Sequence, residues 1–352
     1  MAFYILQFLF LFVFSFSYSY SKDKYFSIIF KFLSFFIIFI PAAIRYNIGT
    51  DYSNYVQIFN NLKFGHEIQQ EYGWKFLNLF VISNKLSVQW IFIISSFITY
   101  IWLFYTDKKS TWIVLLIYYL YLYTYSFNAV RNAISITLFW YSYMCLLREK
   151  KIRGFVFILI GSLFHVSAFL YIPLYFMMCF VPIKRNTTII LGVVFYVLFA
   201  RLNFAGILLN SFLLKETKFA VYSTHSKYAE EVIISTGLGV TLRLLYTFLL
   251  YILCDKAKCK KEESYAISWL FLALIIADSL AIQIFIFRRL LDCFYIAYIA
   301  MFYCLLKKSN NVYTQLGKLF CFIYVFVFVF LAGLIKNTNE VVPYMTILRG
   351  FF

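Results

Sequence analysis

Residues 32–55 read FLSFFIIFIPAAI followed by RYNIGTDYSNY. The first thirteen residues, 32–44, carry no charge. The next eleven bring Arg45, Gly49, Thr50 and Asp51, with Tyr46, Tyr52 and Tyr55 around them. An apolar run this long, closed by a compact charged cluster, is a helix leaving the hydrocarbon layer at a membrane surface. Apolar runs of this kind recur to the end of the chain, so the reading at 32–55 sets the reading of the whole.

Composition agrees. The 352 residues are 63% hydrophobic and only 13% charged, with a mean hydropathy of +0.81. Soluble domains hold roughly 45–50% apolar and about 25% charged residues. The runs are continuous rather than alternating, which excludes a β-barrel. The fold expected is all-α, a polytopic helical bundle of about 11–12 membrane segments in one integral membrane domain, 1–352. The first twenty residues lack a basic leader and a small-residue cleavage site, and they read as a retained first helix.

The net charge of +17 invites a nucleic-acid partner. The cations instead sit in short clusters between apolar runs, the pattern of cytoplasmic loops, so no nucleic acid is expected. The seven cysteines are scattered with no CxxC, and neither a disulfide nor a metal site is implied.

Helices are expected at about 2–20, 25–44, 87–105, 110–126, 130–147, 154–164 with 166–182, 187–202, 236–254, 264–287, 290–306 and 318–335. The basic linkers are Lys22/Lys24, Lys108/Lys109, Arg148–Arg153, Lys184/Arg185, Lys256–Lys261 and Lys307/Lys308. They share one side only if 154–182 enters and leaves on the same face. That needs a broken helix turning inside the membrane near His165. One long tilted helix is the alternative, and it inverts every later loop. With the break, the N-terminus and a second set of segments lie outside. These are a first outer-face loop 45–86, residues 126–131, the His165 turn, a second outer-face loop 203–235, Arg288/Arg289 and the tail 336–352.

The charged residues of that face have two readings each. Arg45 and Asp51 are either an interfacial anchor and a turn, or part of a site. Arg131 opens a helix with no charged neighbour; it either snorkels or joins the helix N-terminus in binding an anion. His165 either packs or works as acid, base or donor, since ionisable groups in membranes are costly and usually face a cavity. Arg243 binds an anion or pairs with Asp278. Arg288 is four residues from Asp292 and placed to pair with it, which leaves Arg289 over. Several arginines round one cavity suit a phosphate or pyrophosphate headgroup.

Taken together, Arg45-(x)3-Gly49-Thr50-Asp51-Tyr52-(x)2-Tyr55, Val130-Arg131-Asn132-Ala133-Ile134, Phe164-His165-(x)2-Ala168 with Pro173, Arg288/Arg289 with Tyr295, and Val342-Pro343-Tyr344 resemble the EpsG family, a branch of the Wzy-type polymerases of O-antigen, capsule and exopolysaccharide. The family more often has Gln where this chain has Asn132, which takes weight from a side-chain role there. The resemblance implies a glycosyltransferase of the GT-C superfamily in the bacterial cytoplasmic membrane, with its site facing the periplasm or exterior. It implies en bloc transfer of a growing glycan from undecaprenyl pyrophosphate to an acceptor repeat unit on the same lipid. A chain-length regulator and a flippase are the implied further partners, and no metal or other cofactor is required. On this reading Arg131 and Arg288 or Arg289 meet the pyrophosphate, with Arg243 as a further candidate, and Arg45 holds Asp51 or binds a phosphate. His165 or Asp51 orients or deprotonates the acceptor hydroxyl, and Tyr52, Tyr55 and Tyr344 touch glycan. An O-antigen ligase shares these features. A lipid-linked oligosaccharide flippase is the rival from another class, but no internal repeat is visible.

Overall fold

The computed structural model describes residues 1–201, 238–255, 260–283, 287–306 and 312–348. The expected loop 203–235 lies outside them. The described residues are helical and contain no strand; one isolated bridge joins Arg45 to Thr346. Among the described residues, four helices are long and apolar enough to cross a membrane: Ala2–Tyr20, Lys24–Ile44, Lys261–Ile282 and Gln315–Ile335. A fifth candidate is the pair Gln89–Tyr105 and Lys108–Tyr123, bent by 115° at its break. Val166–Phe180, Arg185–Phe199 and Gly239–Cys254 are shorter apolar helices. Leu6, Phe10, Phe26, Ile29, Phe32 and many other large apolar side chains are exposed, as lipid-facing surface requires. The chain packs as two compact units, residues 1–172 with 322–352, and residues 173–321.

In the first unit α1 (Ala2–Tyr20) and α2 (Lys24–Ile44) form a hairpin. Asp23 starts α2 by accepting from the Phe26 N–H (2.9 Å). Pro41 lies inside α2 and has no N–H for the Ile37 carbonyl one turn back. The Gln7 amide of α1 supplies the missing donor, Nε2 to Ile37 O at 2.7 Å. Gln7 is buried, and Tyr119 and Tyr123 bond its other positions (2.9 and 2.7 Å). Those two tyrosines flank the π-turn that ends helix α6 (Thr111–Tyr118).

Helix α8 (Val130–Leu147) is the core of this unit: all its residues are buried except Arg131 and Leu147. Helix α9 (Lys151–Ser162) runs back along it, with Ser135 Oγ donating to Gly161 O at 2.8 Å. The expected helix break is present. After Ser162 the chain turns through Leu163–His165, with His165 extended (φ −153°, ψ 134°), and resumes at Val166. Ser167 bonds Asn132 (2.8 Å), so the break lies level with the first turn of α8. It is about 24 Å along α8 from Arg148 at 1.5 Å per residue.

Linkers therefore sort to the two ends of α8. At one end Lys108 Nζ donates to Ser21 O (2.9 Å) and Arg148 pairs with Asp107 (3.0 Å), which gathers three of the basic linkers. At the other end lie the loop 45–51, the start of α8, the His165 turn and the tail 336–347. The region 45–86, read as a loop, holds two amphipathic helices, α3 (Tyr52–Lys63) and α4 (Tyr72–Ser83). The tail folds back over loop 44–49, Tyr46 N–H to Met345 O (3.1 Å), Ile347 N–H to Ile44 O (3.0 Å) and Gly49 N–H to Glu340 O (3.1 Å).

In the second unit α11 (Arg185–Arg201) lies against helix Lys261–Gln283, where Gly192 has no side chain to hold Phe271 away. Helix Leu238–Asp255 packs on Ile296–Leu305, and Thr247 bonds the Tyr298 hydroxyl at 2.7 Å.

Candidate functional site

The first unit collects Arg131, His165 and Asp51 at the same end as a fourth charged residue absent from the sequence-level set, Glu71. Arg131 Nη1 donates to Glu71 Oε2 and to Gln70 Oε1 (2.6 Å). The two charged side chains are 22% and 12% exposed, so the pair sits in a partly closed, low-dielectric place. Burial is what gives such a pair its force, since fully exposed pairs contribute little. Arg131 Nε is buried and has no hydrogen-bond partner among the described residues.

The loop that presents Glu71 is fixed by a glycine. The Gly73 N–H donates to Leu163 O (2.7 Å), in the turn before His165. A Cβ on Gly73 would lie 2.8 Å from that oxygen. Only glycine lets α4 begin there, and its start places Glu71 beside α8.

His165 starts the next helical turn by accepting the Ser167 N–H at Nδ1 (3.2 Å). The Ser167 hydroxyl stands 2.6 Å from the same nitrogen and donates to Asn132 Oδ1 (2.8 Å). Asn132 Nδ2 in turn donates to the Tyr125 hydroxyl (2.7 Å). A chain of polar groups thus runs from His165 through Ser167 and Asn132 to Tyr125. Which atom donates across the 2.6 Å contact between His165 Nδ1 and Ser167 Oγ follows the tautomer of the ring. Asn132, discounted in the sequence, is the link between the two motifs.

Asp51 precedes α3 and is half-buried, and its carboxylate accepts no hydrogen bond among the described residues. Tyr55 lies between Asp51 and Arg131. Its hydroxyl accepts the Val130 N–H (3.1 Å). Burial pushes this phenol up; the nearby Arg131 pulls it down and Asp51 pushes it further up. The Gly-Thr of the motif has a backbone reason. Gly49 has φ +95°, and a Cβ would collide with Asn128 Oδ1, which accepts the Thr50 N–H (2.9 Å). Asn128 also bonds Asn339 of the tail (3.1 Å).

Other expected residues sit differently. Arg45 is 1% exposed. Its guanidinium lies between the rings of Phe92 (4.5 Å) and Phe127 (4.9 Å). Nη1 donates to Ala42 O (2.5 Å), and Nε and Nη2 have no partner among the described residues. It pairs with no carboxylate, Asp51 included, and in this position it faces no headgroup. Tyr52 and Tyr55 are buried, Tyr52 stacked on Phe92 (4.8 Å) and Tyr55 edge-on to Trp74 (5.2 Å), which leaves no open ring face for a sugar. Tyr344 stacks on Phe3 (4.1 Å) and donates to Pro41 O (2.9 Å). These contacts fasten the tail to α1 and α2.

The second unit holds the other three arginines. Arg243 binds Asp278 through two nitrogens, Nη2 to Oδ1 (2.5 Å) and Nε to Oδ2 (3.2 Å). This is the ion-pair alternative of the sequence reading. Arg288 and Arg289 are exposed in the first turn of helix Arg288–Phe294, and Asp292 lies within electrostatic reach of both.

A helical bundle with several helices long and apolar enough to cross a membrane, and with many large apolar side chains exposed, defines a multi-pass membrane protein. The family model of the EpsG family matches residues 28–346, and the chain belongs to that family, whose members are membrane proteins of polysaccharide-polymerase type. No curated protein and no solved structure matches the chain.

Proposed function

We propose that the protein polymerises oligosaccharide repeat units carried on undecaprenyl pyrophosphate, as a GT-C-type glycosyltransferase acting at the outer face of the bacterial cytoplasmic membrane. The observation that carries this reading is the Arg131 cluster. A cation, a carboxylate and a histidine from three separate segments gather at the start of one buried helix.

Transfer joins an acceptor sugar hydroxyl to the anomeric carbon of the donor glycan. The anomeric C–O bond to the lipid pyrophosphate breaks, the hydroxyl gives up its proton, and undecaprenyl pyrophosphate leaves. Charge grows on the leaving phosphate, and a fixed cation aimed there is the largest expected contribution. Arg131 fills that role. In the free protein Glu71 holds it; an arriving pyrophosphate competes for the guanidinium and frees the carboxylate. Glu71 then accepts the hydroxyl proton. Asp51, whose carboxylate has no hydrogen bond among the described residues, holds and orients the acceptor hydroxyl. His165 orients the acceptor hydroxyl or a phosphate oxygen through its imidazole. Arg45 acts as a positioning residue for the loop. Arg288 and Arg289 are proposed as further anion contacts, and Arg243 supports its own unit through Asp278. The product is O-antigen, capsule or exopolysaccharide.

The test is the surface glycan ladder of a deletion strain carrying wild type, Arg131→Ala or His165→Ala at matched membrane levels. A ladder collapsed to single repeat units for both variants is expected. Unchanged ladders return both residues to packing. Loss of all glycan, with lipid-linked units retained inside, points to a flippase.

A further inference from the structure

Helix α3 has the sequence YSNYVQIFNNLK. Tyr52, Tyr55, Ile58, Phe59 and Leu62 are buried on its inner face, at the three-and-four spacing of an amphipathic helix. Its outer face carries Ser53, Asn54, Gln57, Asn60 and Asn61. A solvated helix face ordinarily mixes charges of both signs. Before Lys63 this one has none, in a chain of net charge +17.

A shallow, open groove of about 470 Å³ runs along that face, lined by Asn47, Ser53, Gln57, Asn60 and Asn61 with Val56 and Tyr52. Its volume falls within the roughly 300–1,000 Å³ of small-molecule sites. The polar lining side chains make no hydrogen bond among the described residues. From Ser53 to Asn61 the face is about 12 Å long at 1.5 Å per residue. Its inner end adjoins the site, since α3 follows Asp51 directly and Tyr55 bonds the residue before Arg131.

We propose that this groove is an oligosaccharide subsite. It holds the sugars of a repeat unit while the reacting end lies at Arg131, an assignment that rests on the polymerase reading above. The chemistry of the lining selects the ligand. A phosphate would need fixed cations, and the groove offers none. Each Asn or Gln presents two donors and an acceptor, the complement of neighbouring sugar hydroxyls, which also donate and accept. Neutral amides in a row bind an uncharged or weakly charged glycan without holding its lipid pyrophosphate.

The test uses full-length protein in nanodiscs and a lipid-free repeat-unit oligosaccharide released from the strain's own polysaccharide. Binding is read by saturation-transfer NMR for wild type, Gln57→Ala/Asn60→Ala and Arg131→Ala. Wild type and Arg131→Ala are expected to bind alike, and the double variant about tenfold more weakly, two hydrogen-bonding groups having been removed. In cells the double variant is expected to make a ladder of shorter modal length, whereas Arg131→Ala makes none. Equal binding by wild type and the double variant, or no saturation transfer to the oligosaccharide with wild type, overturns the groove. Neither result touches the polymerase reading, which falls only if the Arg131→Ala ladder is unchanged. Gln57 and Asn60 are exposed, and Gln57→Glu/Asn60→Asp, equal in size, repeats the test should the alanine variant unfold.

Discussion

Arg131, in the first turn of a helix otherwise buried almost throughout, donates to Glu71, sixty residues earlier in the chain. The pair ties the first polar segment to the core of the first unit. On the proposed function it is also the resting state of the site, with the cation neutralised by a group that substrate would displace.

Removing either partner has a distinct expected effect. Arg131→Ala lowers polymerisation of lipid-linked repeat units in proteoliposomes by about 10²–10³-fold, the cost of losing one charge-stabilising donor. Arg131→Lys recovers little, because a point charge does not replace a planar fork. Glu71→Gln keeps the size and a hydrogen bond to Arg131 but cannot take a proton. It is expected to lower turnover by about 10²-fold or more, within the range of general-base catalysis. A Glu71→Gln protein with wild-type turnover would transfer the base role to Asp51.

Gly73 is the mechanical counterpart. Its N–H bonds Leu163 O, and a Cβ would press on that same oxygen. Gly73→Ala is expected to cost about 1–3 kcal/mol through overpacking, read as a lower midpoint of thermal unfolding in detergent. The α4 start moves with it, so turnover per folded molecule falls as well. Gly65, which has open space around it, is the control: its φ of +81° costs only the local backbone strain of a substitution there, and activity stays.

The Gln7–Pro41 relationship gives a cycle. Gln7→Leu leaves the Ile37 carbonyl without the donor that Pro41 cannot supply. An unsatisfied buried acceptor costs about 1–3 kcal/mol. Pro41→Ala restores an N–H one turn from Ile37 and is expected to recover part of that loss in the Gln7→Leu background. Recovery is partial because Gln7 also bonds Tyr119 and Tyr123. Thermal unfolding of the four proteins measures the coupling; strictly additive effects would remove the Pro41 account.

Much of this was legible in one sequence. Membrane helices announce themselves by length and composition, and the described helices follow the expected ones within a few residues. The break near His165 showed in the charge pattern, since the basic linkers share one side only if 154–182 enters and leaves on the same face. What stayed hidden is pairwise. Glu71 looks like any solvated loop acid until Gly73 docks on Leu163. Asn132 looked expendable until Ser167 was beside it. Helices α3 and α4 were hidden by their polar faces, and the return of the tail onto loop 44–49 is made by backbone groups that no side chain advertises. Arg45 misled for a related reason: its position after an apolar run suits an interface, and only the rings of Phe92 and Phe127 show it buried.

Arg45 supplies the last test, which separates a positioning cation from a catalytic one. Its charge is stabilised by two aromatic faces and one carbonyl rather than by an acid. A guanidinium stacks between two rings; an ammonium is compact, more strongly hydrated and cannot span both. Arg45→Lys is therefore expected to destabilise the fold by about 1–3 kcal/mol, by leaving a buried, poorly partnered charge. Arg45→Met, similar in length and apolar, is expected to be the more stable of the two, because exchanging a buried charge for a packed apolar chain is often neutral or better. Turnover per folded molecule stays within about threefold of wild type for Arg45→Met, against about 10²–10³-fold loss for Arg131→Ala. Thermal unfolding and proteoliposome turnover on the same preparations give both numbers. A stable Arg45→Met protein with no turnover would show that this guanidinium meets the substrate, and the closed position between Phe92 and Phe127 would then have to open during the reaction.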